Sequence, residues 1–161
     1  MNLLLSVEGV RVNYRTERGE ITAVRNVSFY VDKGDILGIV GESGSGKSTL
    51  AYSVLNYIKP PGKIISGSVK LEGVGDLLKL GKEDVRKVLW KEIAIVPQAT
   101  QNSMNPTMDV KDHFIDTMAA HGQNDKQKIL ETANRLLEEV KLDPQIVLSA
   151  YPHQLSGGMK Q

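Results

Sequence analysis

The run Gly41-Glu42-Ser43-Gly44-Ser45-Gly46-Lys47-Ser48 has the residue types and spacing that cradle a chain of phosphates, G-x-x-x-x-G-K-[ST]. Glycines at 41, 44 and 46 let the backbone turn tightly and bring its N–H groups close to phosphate oxygens. A helix beginning at the lysine adds the partial positive charge of its N-terminus. The Lys47 ammonium then reaches the β- and γ-phosphates, and the Ser48 hydroxyl joins a Mg²⁺ shell, with Thr49 next in the first turn. From average composition, a chance match in a chain of this length is on the order of one in a hundred.

Positioning such a loop takes a strand before it and a helix after it. Ile36-Leu37-Gly38-Ile39-Val40 is almost continuously apolar, the pattern of a strand buried on both faces. Leu50, Val54, Leu55 and Ile58 then share one helical stripe, with Pro60-Pro61-Gly62 as the expected stop. Upstream, Val10, Val12 and Tyr14 alternate with Arg11 and Asn13, and Val27, Phe29 and Val31 alternate again. The polar cluster Arg15-Thr16-Glu17-Arg18-Gly19-Glu20 between them supplies a turn, so residues 3–31 predict an antiparallel sheet with one wet face. Residues 64–72 predict a further strand, Val85 to Trp90 a short helix or turn, and Ile93-Ala94-Ile95-Val96 a second buried strand closed by Pro97.

From residue 99 onward the chain reads as helical. Val110, Phe114 and Met118 form one stripe, stopped at Gly122. A second helix is expected from about Asn124, with Gln127 as partner in a capping box, and Ile129, Ala133, Leu136, Leu137 and Val140 on its buried face up to Asp143-Pro144. This divides the chain into a nucleotide-binding core at 1–98 and a helical module at 99–161.

Composition narrows the function classes. The 161 residues carry 20 Lys+Arg against 19 Asp+Glu, a net charge of +1, without the basic face that argues for nucleic acid. Having no cysteine, the chain has no disulfide, thiolate metal site or Cys nucleophile. No apolar run approaches the ~20 residues that cross a bilayer. The start, Met1-Asn2-Leu3-Leu4-Leu5, lacks a basic region and meets Glu8 too soon for a signal peptide. A soluble, intracellular protein is expected, one that reaches a membrane only by docking on another subunit.

Three further features choose among phosphate-loop proteins. Leu155-Ser156-Gly157-Gly158-Met159 resembles the signature motif of ABC ATPases, Gln98 resembles the glutamine of their Q-loop, and Tyr14 resembles the aromatic that stacks on adenine. Asn102-Ser103-Met104-Asn105-Pro106 and Tyr151-Pro152-His153-Gln154 before the signature are similar to the oligopeptide and dipeptide importers of that family, a subfamily that also serves nickel and oligosaccharides. The resemblance implies an α/β P-loop NTPase fold of ABC ATPase type. Its parts would be an antiparallel β subdomain, an incomplete RecA-like parallel core and an α-helical signature subdomain.

It also implies ATP and Mg²⁺ as cofactors, Ser48 and Gln98 as metal contacts, and Lys47 and Gln98 as the catalytic groups present. Ser156, Gly157 and Gly158 would act on ATP held by a second ABC ATPase subunit, in a homo- or heterodimer. Transmembrane permease subunits and, indirectly, a substrate-binding protein complete the implied partners, with no nucleic acid. The expected location is cytoplasmic, peripheral on the inner face of the cell membrane.

The family places an apolar run ending in Asp-Glu after the signature, and none occurs in 1–161. The expectation is therefore nucleotide binding without appreciable turnover by these residues alone, and a marginal fold with open sheet edges. A regulatory partner that does not hydrolyse, and a soluble ABC ATPase outside transport, remain as alternatives. His113 and His121 lie two helical turns apart, too far to chelate, and both read as solvated. His153 is expected to help orient the signature loop.

Overall fold

The computed structural model describes residues 2–96 and 103–160, and the chain forms two compact units, Met1–Ala94 and Ile95–Gln161. In the first, strands β1 (Leu3–Thr16) and β2 (Gly19–Asp32) make a hairpin whose turn is Glu17-Arg18. Strand β3 (Gly62–Leu71) pairs with the other edge of β1, and the short β4 (Gly75–Asp76) pairs with β3. The result is an antiparallel sheet in the order β2-β1-β3-β4.

A bulge sets the phase of β1. Strict alternation would send Val7 and Val10 to opposite faces, yet both are fully buried, as is Val12. The register slips between Val7 and Val10, where Gly9 takes φ 58° and Asn26 on β2 takes φ 51°. The left-handed φ and a close approach to the Asn26 side chain make glycine the fitting residue at position 9. Arg11 is exposed as the expected wet face requires, but Asn13, at a register shift next to Val12, is only 7% exposed. Its Nδ2 donates to Glu20 Oε2 at 2.9 Å while its Oδ1 is buried without a partner.

Helix α1 (Lys47–Val54) lays Leu50 and Val54 on the sheet core of Val7, Val10, Val12, Val24, Val69, Leu71 and Leu77. It stops six residues short of Pro60. Asn56 adopts φ 50° beyond the helix end; its amide donates to the Ser53 carbonyl at 3.0 Å, and the Tyr57 amide donates to Tyr52 at 2.9 Å. This left-handed C-terminal lock ends the helix before the prolines can. Helix α2 (Lys82–Val88) closes the unit.

The two apolar runs expected as buried strands are not paired in this way. Residues 36–40 form no ladder among the described residues, and Ile36 and Val40 are 99% and 94% exposed. Ile93 makes one isolated parallel bridge to Leu89, and Val96 is 74% exposed. A strand buried on both faces needs paired neighbours and a layer packed over each face, which no apolar composition supplies by itself.

The second unit is helical, with α3 (Val110–Ala120), α4 (Lys126–Glu139), α5 (Pro144–Val147) and α6 (Gly157–Lys160). Aspartates start three of these. Asp109 accepts from the Asp112 amide at 2.7 Å, Asp125 from Gln127 at 3.1 Å and Lys128 at 3.3 Å, and Asp143 from Gln145 at 2.9 Å. The α4 cap is thus Asp125 rather than Asn124, and the Gln127 side chain reaches forward to Glu131 instead of closing a box. Its buried face is narrower than expected: Ile129, Ala133 and Leu137 are covered, whereas Leu136 and Val140 on the flank are 39% and 65% exposed. Among the described residues no helix is long and apolar enough to cross a membrane.

Asp76 ties β3 to the turn that follows it. Its Oδ1 accepts from the Val69 amide at 3.1 Å and the Leu78 amide at 3.2 Å, and its Oδ2 from the Ser68 hydroxyl at 3.1 Å. Burial pushes its pKa up, but the Val69 and Leu78 amides, the Ser68 hydroxyl and the Lys79 charge outweigh that and hold it below the ordinary carboxylate value. A depressed folded pKa gives stability that is complete above the unfolded value and lost as pH falls through the folded one. Replacing Asp76 by Asn, which keeps an acceptor but cannot titrate, is expected to flatten the fall of the urea midpoint below about pH 4.

Candidate functional site

The glycine-rich loop and the start of α1 are set by one close approach to the hairpin. Gly46 takes φ 94° immediately before Lys47, and a Cβ there would lie 2.3 Å from the Ala23 carbonyl oxygen of β2. Only glycine fits both the backbone and the space. The Leu50 amide then closes the first helical turn on the Gly46 carbonyl at 2.8 Å, and the Ser45 amide donates to Glu42 at 3.2 Å.

Lys47 folds back across the loop. Its Nζ donates to the carbonyls of Gly41 at 2.8 Å and Glu42 at 2.6 Å, and to Ser45 Oγ at 3.4 Å. Among the described residues, no backbone carbonyl accepts from the amides of Gly44, Gly46, Lys47, Ser48 or Thr49. Ser43, Gly44 and Ser48 are exposed. An ammonium and a row of unengaged amides at a helix N-terminus suit an anion with several oxygens, and the Ser48 hydroxyl beside them suits a hard divalent cation carried by that anion.

Tyr14 is half-buried on β1, opposite Ile21 of β2 and Gly62 of β3. A Cβ on Gly62 would lie 2.7 Å from the Tyr14 ring, so the missing side chain makes room for it. With Tyr52, Tyr57, Ile58, Lys59 and Pro60, the ring lines an open cavity of about 380 Å³. A flat face in such a cavity can stack on an aromatic base.

The Leu155–Met159 segment lies in the second unit. Leu155 is buried beside Val110, Leu137 and Val147, which anchors the apolar end. Ser156 follows in the open, its Oγ accepting from the Met159 amide at 3.3 Å and its carbonyl from Lys160 at 3.1 Å, so it caps α6. Upstream, the Gln154 side chain accepts from the Tyr151 amide at 2.7 Å, and the Tyr151 and His153 rings stack 5.7 Å apart. Gly157 and Gly158 form the first turn of α6. Gln98 lies outside the described residues.

The structure also corrects the reading of His113. It is not a solvated helix residue but bonds the backbone at both ring nitrogens, at Asp109 and Asn105. Sequence spacing carries no signal for this, since backbone groups look alike at every position.

The model of the ABC transporter family matches residues 24–161. The chain is 45% identical to the dipeptide transport ATP-binding protein DppD of Caldanaerobacter subterraneus subsp. tengcongensis, over all of this chain and 49% of that protein. It is 38% identical to the oligopeptide transport ATP-binding protein OppD of Bacillus subtilis, over 98% of this chain and 44% of the relative. The chain therefore spans about half the length of the curated relatives it matches. In fold it is similar to the dimeric structure of MJ0796, a bacterial ABC transporter cassette, with TM-score 0.79 at 21% identity, covering 98% of this chain and 65% of that one.

Because Gly46 rests on the Ala23 carbonyl, Gly46→Ala must push the loop off β2. A destabilisation of about 1–3 kcal/mol is expected from urea unfolding. Gly158→Ala, whose Cβ meets nothing within 4 Å, should stay within about 0.5 kcal/mol of the parent chain.

Proposed function

The chain belongs to the ABC transporter family, and from that premise we propose that it is the ATP-binding, energy-coupling part of a peptide importer. ATP sits with its triphosphate on the loop from Gly41 to Thr49 and its adenine against Tyr14. Lys47 leaves the Gly41 and Glu42 carbonyls for the β- and γ-phosphates, an exchange of partners that keeps its charge hydrogen-bonded throughout. Ser43, Gly44, Ser45 and Gly46 supply backbone amides, and the Ser48 hydroxyl together with Gln98 holds Mg²⁺. Held there, Mg²⁺ would supply charge neutralisation to the phosphates.

Ser156, Gly157 and Gly158 face ATP bound by a second subunit of the same type, in a homo- or heterodimer. Two nucleotides between two subunits make closure depend on ATP, and the closing motion is passed to transmembrane permease subunits. A substrate-binding protein delivers peptide from the far side. In this reading the protein is peripheral, on the inner face of the cell membrane.

The observation that carries the proposal is the set of unengaged amides at Gly44 and from Gly46 to Thr49 around an exposed, lysine-bridged loop. Titration calorimetry of the folded chain with Mg-ATP tests it. Saturable binding is expected. Lys47→Ala, which removes a charged hydrogen bond worth about 1.5–3 kcal/mol, should weaken it roughly 10- to 100-fold. No heat of binding with a folded sample would falsify the nucleotide reading.

A further inference from the structure

The turn ahead of α3 is held by a histidine whose two bonds permit one protonation form. His113 Nδ1 lies 2.7 Å from the Asp109 carbonyl oxygen, and its Nε2 accepts from the Asn105 amide at 2.9 Å. A carbonyl can only accept and an amide can only donate, so Nδ1 must carry the proton and Nε2 must be bare. The other neutral tautomer would set N–H against N–H at one end and lone pair against lone pair at the other. The imidazolium keeps the bond to Asp109 and loses the bond to Asn105.

What His113 grips is already organised. Asn105 Oδ1 accepts from the Thr107 amide at 3.1 Å and the Thr107 hydroxyl at 2.8 Å, and the Met108 amide donates to the Asn105 carbonyl at 3.2 Å. On the other side, the Val110 and Lys111 amides donate to the carbonyls of Ala150 and Leu148, each at 3.0 Å. Residue 150 leads directly into Tyr151-Pro152-His153-Gln154-Leu155-Ser156. A bonded line therefore runs from the 105–108 turn through His113 and the start of α3 to the segment that presents Ser156.

We propose that His113 is a positioning residue that latches the 105–108 turn to α3 only while its ring is neutral, and releases it on taking a second proton. The residues 103–108 bring no charge of their own to the latch. Asp109 commits its carboxylate to the Asp112 amide and, at 3.3 Å, to Lys111; Asp112 and Asp116 are the other acids of the first two turns of α3. On α4, which packs against α3, Lys128 pairs with Asp125, Arg135 with Glu139 and Glu131 with Gln127, leaving Lys126 and Glu138 exposed. After residue 150, Tyr151 and His153 stack on each other. The latch needs no nucleotide, so it stands or falls apart from the phosphate-site reading.

Nuclear magnetic resonance on the ¹⁵N-labelled 161-residue chain without nucleotide tests it. At about pH 8 the His113 ring should show a protonated Nδ1 and a bare Nε2. As the pH is lowered from about 8 until the ring signal reports the second proton, the protection factor of the Asn105 amide should fall about tenfold in step with that signal. His113→Phe should give the low protection at every pH, and His113→Gln, which retains an acceptor, should hold it without a pH step. An Nε2–H tautomer at about pH 8, or Asn105 protection that stays constant while the ring titrates, would overturn the proposal.

Discussion

The contact between Gly46 and the Ala23 carbonyl decides where α1 begins, and the site follows from that start. A residue with a Cβ would hold the loop away from β2. The Leu50 turn, the unengaged amides and the reach of Lys47 to Gly41 and Glu42 would all move with it. The hairpin under the contact is kept in place by burial of Val10, Val12 and Val24 against Leu50 and Val54. The apolar core of the sheet and the polar geometry of the loop are thus two sides of one packing arrangement, and apolar burial supplies the larger share of the energy.

The second unit solves a comparable problem in another way. Its loop must stay exposed at Ser156 and yet be held in one place. Leu155 is buried among Val110, Leu137 and Val147, one residue before the exposed serine, so the apolar anchor and the polar end are adjacent in sequence. The side-chain bond from Gln154 to the Tyr151 amide and the stacking of Tyr151 on His153 limit the approach to it. Helix starts here rest on aspartate caps, which fix entry angles without needing a large core.

Much of this was legible in the sequence, for physical reasons. The phosphate loop is local: eight residues contain the glycines, the lysine and the hydroxyl that the geometry needs. Strands β1, β2 and β3 and helices α3 and α4 declared themselves through periodicity, which depends only on near neighbours along the chain. What failed was whatever depends on distant partners. The runs 36–40 and 93–96 have the composition of interior strands, but burial belongs to a neighbourhood, and theirs is open among the described residues. The early end of α1 turned on Asn56 adopting a left-handed conformation, and the role of His113 turned on two backbone groups. Tyr14 was placed on β1 by alternation, but the cavity beside it is made by Tyr52 of α1 and by Tyr57 and Lys59 from beyond the helix.

The bulge at Gly9 and Asn26, one of four register shifts along the hairpin, separates the inside–outside assignment of Val7 from that of Val10. Val10, Val12 and the Ala23 shelf all lie on the turn side of it. Loss or gain of a residue at the outer end would be absorbed before reaching the shelf. A flattened bulge would turn Val7 and Val10 to opposite faces, and the floor on which the glycine loop rests would face solvent.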